Sequence, residues 1–261
     1  MELGIKGKRA LVTGGATGIG KAIVLDLAKE GVNVVFTSRY NEGLDQTLEE
    51  LGGKEEGLLG IKIDQLEEGA SKVLANKIWE EFGQLDIVVN NIGSNLKITD
   101  PLCSISDWRK VFRMNLEVHI EINNLFIPYM KEQNWGRILN ISAGSAMENN
   151  GPVTYCSIKA ALTAYSRCMG RVLGPDGIVM SALQPGVILT ERGHWGGLHV
   201  ANSEHAKKYL EERTVLKRFG QVGEISPMAV LLCSELASFC QGAIVPVDGG
   251  QAKHYFQFPY Q

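Results

Sequence analysis

Short apolar runs alternate with amphipathic stretches along almost the whole chain. The nearly continuous apolar segments are Arg9–Thr13, Asn33–Thr37, Leu58–Lys62, Leu85–Asn90, Gly136–Ile141, Val179–Gln184 and Ala243–Val247. Such runs are expected of parallel strands covered on both faces, where neither side of the sheet meets water. Between them the spacing predicts helices over Ile19–Glu30, Gly43–Leu51, Gly69–Glu81, Ser106–Glu132, Tyr155–Leu173 and Glu224–Leu236. This alternation predicts an α/β fold: a doubly wound seven-stranded parallel sheet in a Rossmann-like three-layer sandwich. No linker, repeat or composition break divides the chain, so residues 1–261 are read as a single domain. The alternation lapses once, over Gly193–Arg218, a polar stretch with its own helical pattern at Ser203–Arg213. An insertion of that length between core elements is either a substrate lid, over about residues 191–218, or a solvated surface excursion.

Composition narrows the function. The formal net charge of −3 argues against nucleic acid or an anionic membrane as the main partner. No run approaches the roughly 18 apolar residues a membrane span needs. The start, MELGIKGKRALVTGG, lacks the apolar core and cleavage site of a signal peptide. Cys103, Cys156, Cys168, Cys233 and Cys240 are odd in number and show no CxxC spacing. Neither disulfides nor a zinc site is expected, and a reducing, cytoplasmic location follows.

The first strand runs into Thr13-Gly14-Gly15-Ala16-Thr17-Gly18-Ile19-Gly20 and then directly into a helix. Glycines there allow a tight turn and close approach to a pyrophosphate, which faces the positive end of the helix. In dinucleotide folds an acid at the end of the second strand binds the ribose 2′-hydroxyl and would repel a 2′-phosphate. This chain has Ser38 there, followed by Arg39, which can pair with a phosphate. NADP(H) is therefore favoured over NAD(H).

Tyr155 and Lys159 stand four residues apart, on one face of a predicted helix. A free tyrosine titrates near pH ~10, and a neighbouring cation favours the phenolate. The pair suits proton transfer to or from the oxygen of a carbonyl or alcohol.

The spacing of Gly14, Gly18 and Gly20 resembles the TGxxxGxG turn of the short-chain dehydrogenase/reductase family, and later motifs follow that family in order over essentially the whole chain. The resemblance is to its single-domain branch, with members like 3-oxoacyl-acyl-carrier-protein reductases. It implies that Gly14, Thr17, Gly18, Ile19 and Gly20 receive the cofactor phosphates and that Asp64 lies near the adenine. Asn90-Asn91-Ile92-Gly93 resembles the family's NNAG segment, with isoleucine in place of alanine, so Asn91 and Gly93 join the cofactor set. Pro185-Gly186-Val187-Ile188-Leu189-Thr190 matches PGxxxT, which implies that Pro185, Gly186, Ile188 and Thr190 hold the carboxamide end. Tyr155 becomes the general acid/base, Lys159 its tuning cation and ribose ligand, and Asn115 the anchor of a relay water.

The serine is ambiguous. Ser142 stands 13 residues before Tyr155, the family's usual distance, whereas the N-x-S-S count from Asn140 lands on Ala143. The loop to Tyr155 is thus one residue short. The hydroxyl is assigned to Ser142, with Ser145 as the alternative.

His194, His199 and His205 are five and six residues apart, which does not place them on one helix face, and no metal is expected. Apolar residues such as Val118, Ile122, Phe126, Leu162, Tyr165 and Met169 are read as facing either the core or a subunit interface, since family members are usually tetramers or dimers. The aromatic tail over Tyr255–Gln261 is expected to pack on a neighbouring subunit. The substrate is a small carbonyl or alcohol compound, either a 3-oxoacyl thioester or a polar hydroxy compound such as a sugar derivative. The alternative from another class is a catalytically inactive dinucleotide-binding sensor or scaffold.

Overall fold

The computed structural model describes residues 1–53, 57–191, 193, 195–196 and 202–251. All seven expected strands form: β1 Arg9–Val12, β2 Asn33–Ser38, β3 Leu58–Lys62, β4 Ile87–Asn90, β5 Gly136–Ile141, β6 Ile178–Pro185 and β7 Ile244–Val247. They lie in the order β3-β2-β1-β4-β5-β6-β7. Every pairing is parallel. The helices are α1 Gly18–Lys29, α2 Asn41–Glu50, α3 Ala70–Glu81, α4 Ile105–Phe112, α5 Val118–Glu132, α6 Ser145–Glu148, α7 Val153–Leu173, α8 Glu204–Arg213 and α9 Ser226–Leu232.

Alternate strand residues feed two cores, one on each side of the sheet. Val12, Val34 and Phe36 pack with Ile23 and Leu27 of α1 and Ala229 of α9. Leu11, Val35 and Val88 pack on the other side with Leu74 and Ile78 of α3 and Phe126 of α5. This two-sided burial is why β4, β5 and β6 are buried at every position and read as largely apolar runs.

Three helical expectations are corrected. The helix expected over Ser106–Glu132 is interrupted by a π-helical turn at Arg113–Glu117, between α4 and α5. Within it the Asn115 amide donates to the Val111 carbonyl, a side-chain intrusion of the kind that widens a helix. The helix over Glu224–Leu236 divides into α9 and two short 3₁₀ turns. The four-residue α6 was not anticipated. Val118, Ile122, Phe126 and Leu162 are all fully buried in this chain's own cores, which removes them from any subunit face.

Candidate active site

The chain order reverses about β1, whose neighbours are β2 and β4. At such a switch point the loops after adjacent strands diverge and leave a crevice. A cleft of about 1350 Å³ lies here, lined by residues that follow the carboxyl ends of β1 to β6. It brings together Gly14, Thr17, Gly18, Ile19, Ser38, Arg39, Asp64, Asn91, Gly93, Ser142, Ser145, Tyr155, Lys159, Pro185, Gly186, Ile188 and Thr190. Gly20 and Asn115 are buried behind the lining and act on it from there.

The glycine turn is held open by side chains whose roles no local motif announces. Gly14 and Gly18 have φ values of +63° and +55°, a region favouring glycine. The Gly14 amide donates to Thr37 Oγ1 at 3.0 Å, and Asn91 Nδ2 donates to the carbonyls of Thr13 and Gly14. A Cβ on Gly20 would lie 2.3 Å from the Gly14 carbonyl oxygen, so this third glycine serves close packing of α1 against the turn. Thr17 caps α1 without a side-chain hydrogen bond, and the first turn carries no acid. The first amides of α1 are therefore left for an anion in the cleft, as a pyrophosphate requires. The residues present fit a dinucleotide.

At the second strand's end, Ser38 Oγ accepts the Tyr40 amide, and the Arg39 guanidinium lies 5.7 Å from the Tyr40 ring centroid. Arg39 is exposed and lines the cleft, and among the described residues it forms no ion pair. Asp64 braces its own turn by accepting the Leu66 amide at 3.0 Å. Thr190 stands over Gly18, with its methyl carbon 3.3 Å from where a Cβ would be.

Tyr155 and Lys159 lie one turn apart on α7, with the Lys159 ammonium 5.8 Å from the phenol ring centroid. Lys159 Nζ donates to the Ile141 carbonyl at 2.9 Å. A Cβ on Gly93 would fall 2.8 Å from Asn115 Oδ1 and 2.9 Å from Lys159 Nζ, so glycine is needed for these polar atoms to converge. The Asn115 amide is fixed by Ser94, donating to its carbonyl at 2.7 Å and accepting from its N–H at 3.1 Å. His119, one turn beyond, contacts the Ile92 carbonyl through Nε2. Burial and the nearby Lys159 charge hold it neutral, with a pKa pushed down to about 3.

Burial also acts on the central pair. It pushes Tyr155 up to about 12, with a smaller contribution from Cys156, and Lys159 down to about 7. The cofactor-free cleft thus favours the neutral form of each group. For Lys159 the unfolded chain binds the extra proton between about pH 7 and its ordinary 10.5. Stability contributed at this site therefore rises with pH across that window, and the penalty is complete below it. Lys159→Met should raise the cofactor-free melting temperature by several degrees at pH 6, with the gain shrinking toward pH 10. Thermal unfolding at both pH values checks this, and a pH-independent gain would count against the buried charge as its cause.

The two serines differ in where their hydroxyls point. Ser142 Oγ lies 3.2 Å from the Lys159 carbonyl and 3.1 Å from Thr163 Oγ1, on the α7 backbone. Ser145, at the start of α6, is half-buried in the cleft wall, and its hydroxyl has no protein partner among the described residues. The cleft is also lined by Asn150, Trp195, His205, Tyr209 and Gln251, which motif spacing did not single out. Trp195 and His205 stack with centroids 5.8 Å apart, so His205 has an aromatic setting. His194, His199 and the tail Tyr255–Gln261 lie outside the described residues.

Comparison with known proteins agrees over nearly the full length. A family model described as enoyl-(acyl carrier protein) reductase matches residues 14–252. The 3-oxoacyl-(acyl-carrier-protein) reductase of Aquifex aeolicus is 34% identical over 256 residues, 96% of this chain and 99% of that protein. The L-rhamnose 1-dehydrogenase (NADP(+)) of Thermoplasma acidophilum is 32% identical over 259 residues, 95% of this chain and 97% of its own. The L-sorbose reductase of Gluconobacter frateurii, solved with NADPH and L-sorbose, has a TM-score of 0.87 at 26% identity. That match covers 98% of this chain and 100% of the other.

Proposed function

The chain belongs to the short-chain dehydrogenase/reductase family, and we propose that its NADP(H)-dependent interconversion of a carbonyl and an alcohol is carried out by Tyr155, Lys159, Asn115 and Ser145. The observation that carries this assignment is the convergence of Lys159 and Asn115 at Gly93, with the Tyr155 ring beside the Lys159 ammonium, in the cleft that also holds the glycine turn. Bound NADPH supplies the hydride to the carbonyl carbon. The amides of α1, Arg39 and Thr190 would hold the cofactor, with Lys159 near its ribose. As negative charge grows on the carbonyl oxygen, the Tyr155 hydroxyl donates its proton there and the product leaves as the alcohol. Lys159 stabilises the phenolate left behind, and Asn115 orders the polar atoms through which it is reprotonated. Oxidation reverses both transfers.

Ser145, not Ser142, is assigned the hydroxyl that donates to the substrate oxygen, because Ser142 is already engaged by the α7 backbone and Thr163. Loss of one such donor costs on the order of 10² in turnover. Ser145→Ala should fall by about that factor, while Ser142→Ala should stay within a few-fold, both read as NADPH oxidation at steady state. The reverse ranking would return the role to Ser142.

We place the protein in the cytoplasm as a homo-oligomer, a dimer or tetramer, with residues 1–261 acting as one domain and about 191–218 forming the substrate-side lid. All five cysteines are free, as a reducing compartment would keep them. Leu102, Ile105 and Phe112 are exposed on and beside α4, an apolar surface of the kind a second copy covers. Among the described residues, no helix is long and apolar enough to cross a membrane.

A further inference from the structure

On the Ser145 side of the cleft, three polar side chains from distant parts of the chain meet at one phenol. Asn150 Nδ2 donates to the Tyr209 oxygen at 3.0 Å, and Gln251 Nε2 donates to the same oxygen at 3.2 Å. Asn150 follows α6, Tyr209 lies on α8, and Gln251 follows β7. Gln251 is fixed there by an antiparallel bridge to Thr214 and by the Val215 amide, which donates to the Gly250 carbonyl.

A phenol oxygen that accepts two hydrogen bonds still has its own hydrogen to give. Among the described residues no acceptor takes it. Gln251 Oε1 is likewise without a partner, on a side chain only 9% exposed. A half-buried hydroxyl hydrogen and the buried Gln251 oxygen therefore stand unpaired in the same cluster, and both residues line the cleft. Burial raises the Tyr209 pKa, so the phenol keeps its proton. Beside it the Trp195 ring lies 4.9 Å from Tyr209, with both in the cleft wall.

Leaving buried polar groups unpaired is costly, and a ligand that pairs both relieves the cost. An alcohol hydroxyl accepts and donates at once, so it can take the Tyr209 hydrogen and can pair with the Gln251 amide whichever way that amide is turned. The Trp195 ring, packed against His205, Tyr209 and Phe219, makes the wall beside the phenol apolar. An unsubstituted acyl chain meets neither need and would leave both groups dry.

On the carbonyl–alcohol reading above, we propose that Tyr209, Gln251 and Asn150 bind a substrate hydroxyl, so that the preferred substrate is a polyhydroxylated ketone or its polyol and not a 3-oxoacyl thioester. The cluster sets specificity and takes no part in proton transfer.

The test compares kcat/KM with NADPH for three carbonyl compounds: a ketose, the unsubstituted ketone of equal length, and a 3-oxoacyl thioester. The intact protein should prefer the ketose by 10²-fold or more, since a site built to bond a hydroxyl discriminates strongly against its absence. Tyr209→Phe should lower kcat/KM for the ketose by 10- to 100-fold, chiefly through KM. The unsubstituted ketone, having no hydroxyl to lose, should fall by a much smaller factor. Gln251→Leu should repeat the pattern and covers the case of an unfolded tyrosine variant, with NADPH affinity as the check on folding. Equal losses on both ketones, or preference for the thioester, overturns the proposal while leaving the oxidoreductase reading intact. NADPH binding with turnover of none of the three overturns both.

Discussion

Tyr155→Phe should reduce turnover by about 10³-fold or more while NADPH affinity changes by no more than about threefold. The substitution removes one oxygen and its proton and keeps the ring that packs on α7. General acid–base catalysis by a positioned side chain contributes about 10²- to 10⁴-fold, and here the neighbouring groups cannot take it over. Ser142 is bound to the α7 backbone, His119 is held neutral and buried, and Lys159 is tied to the Ile141 carbonyl. The phenol makes no hydrogen bond to the described residues, so its loss leaves no new unpaired group and should not unfold the site. Burial pushes Tyr155 up to about 12, which keeps the proton-donating form populated through neutral pH and suits the reductive direction. Single-turnover reduction, with cofactor binding followed separately by fluorescence, measures the two quantities independently. A variant that retains full turnover would remove Tyr155 from the mechanism.

The parts of this site that were legible in the sequence are those in which chemistry depends on neighbours along the chain. Tyr155 and Lys159 are one helical turn apart, so their juxtaposition is fixed by helix geometry alone. The turn Thr13–Gly20 joins a strand to a helix, and its glycines are required by backbone conformation and close packing, both local demands. Asn115 was identifiable, but the π turn that carries it was not, because periodicity cannot distinguish one widened turn inside a long amphipathic stretch. The serine stayed ambiguous for a related reason. Counting assumes a loop of constant length, whereas in the folded chain both serines line the cleft and only the Ser142 hydroxyl is spent on Lys159 and Thr163. The polar cluster at Tyr209 was invisible. Its members come from positions 150, 209 and 251, and no spacing rule relates residues brought together by a seven-stranded sheet and a helix packed beside it. The apolar positions of α5 and α7 show the converse. Period alone marked them as buried without saying by what, and most prove to be covered by this chain itself.

Arg39→Asp should invert the cofactor preference, lowering kcat/KM for NADPH by 10²-fold or more and raising it for NADH by up to about tenfold. Two effects add. The guanidinium that can form charge-assisted bonds to a 2′-phosphate is lost, and a carboxylate is placed where that phosphate would lie. Glu42, in the first turn of α2, already lines this end of the cleft, so the variant would set two acids against the phosphate. For NADH the same carboxylate becomes an acceptor for the ribose 2′-hydroxyl, a favourable but smaller change. The expected asymmetry, a large loss and a modest gain, separates this cause from general damage to the cleft, which would lower both cofactors alike. Arg39→Ala isolates the first effect and should lose less NADPH efficiency than the aspartate variant, with little gain for NADH. Ionic strength gives an independent check. Arg39 is exposed, so raising salt should weaken NADPH binding to the intact protein more than to Arg39→Ala. Equal salt dependence in the two proteins, together with an unchanged cofactor ratio, would show that the 2′-phosphate is recognised elsewhere. The turn after β3, where Asp64 and Gln65 line the same cleft, would then be the next place to look.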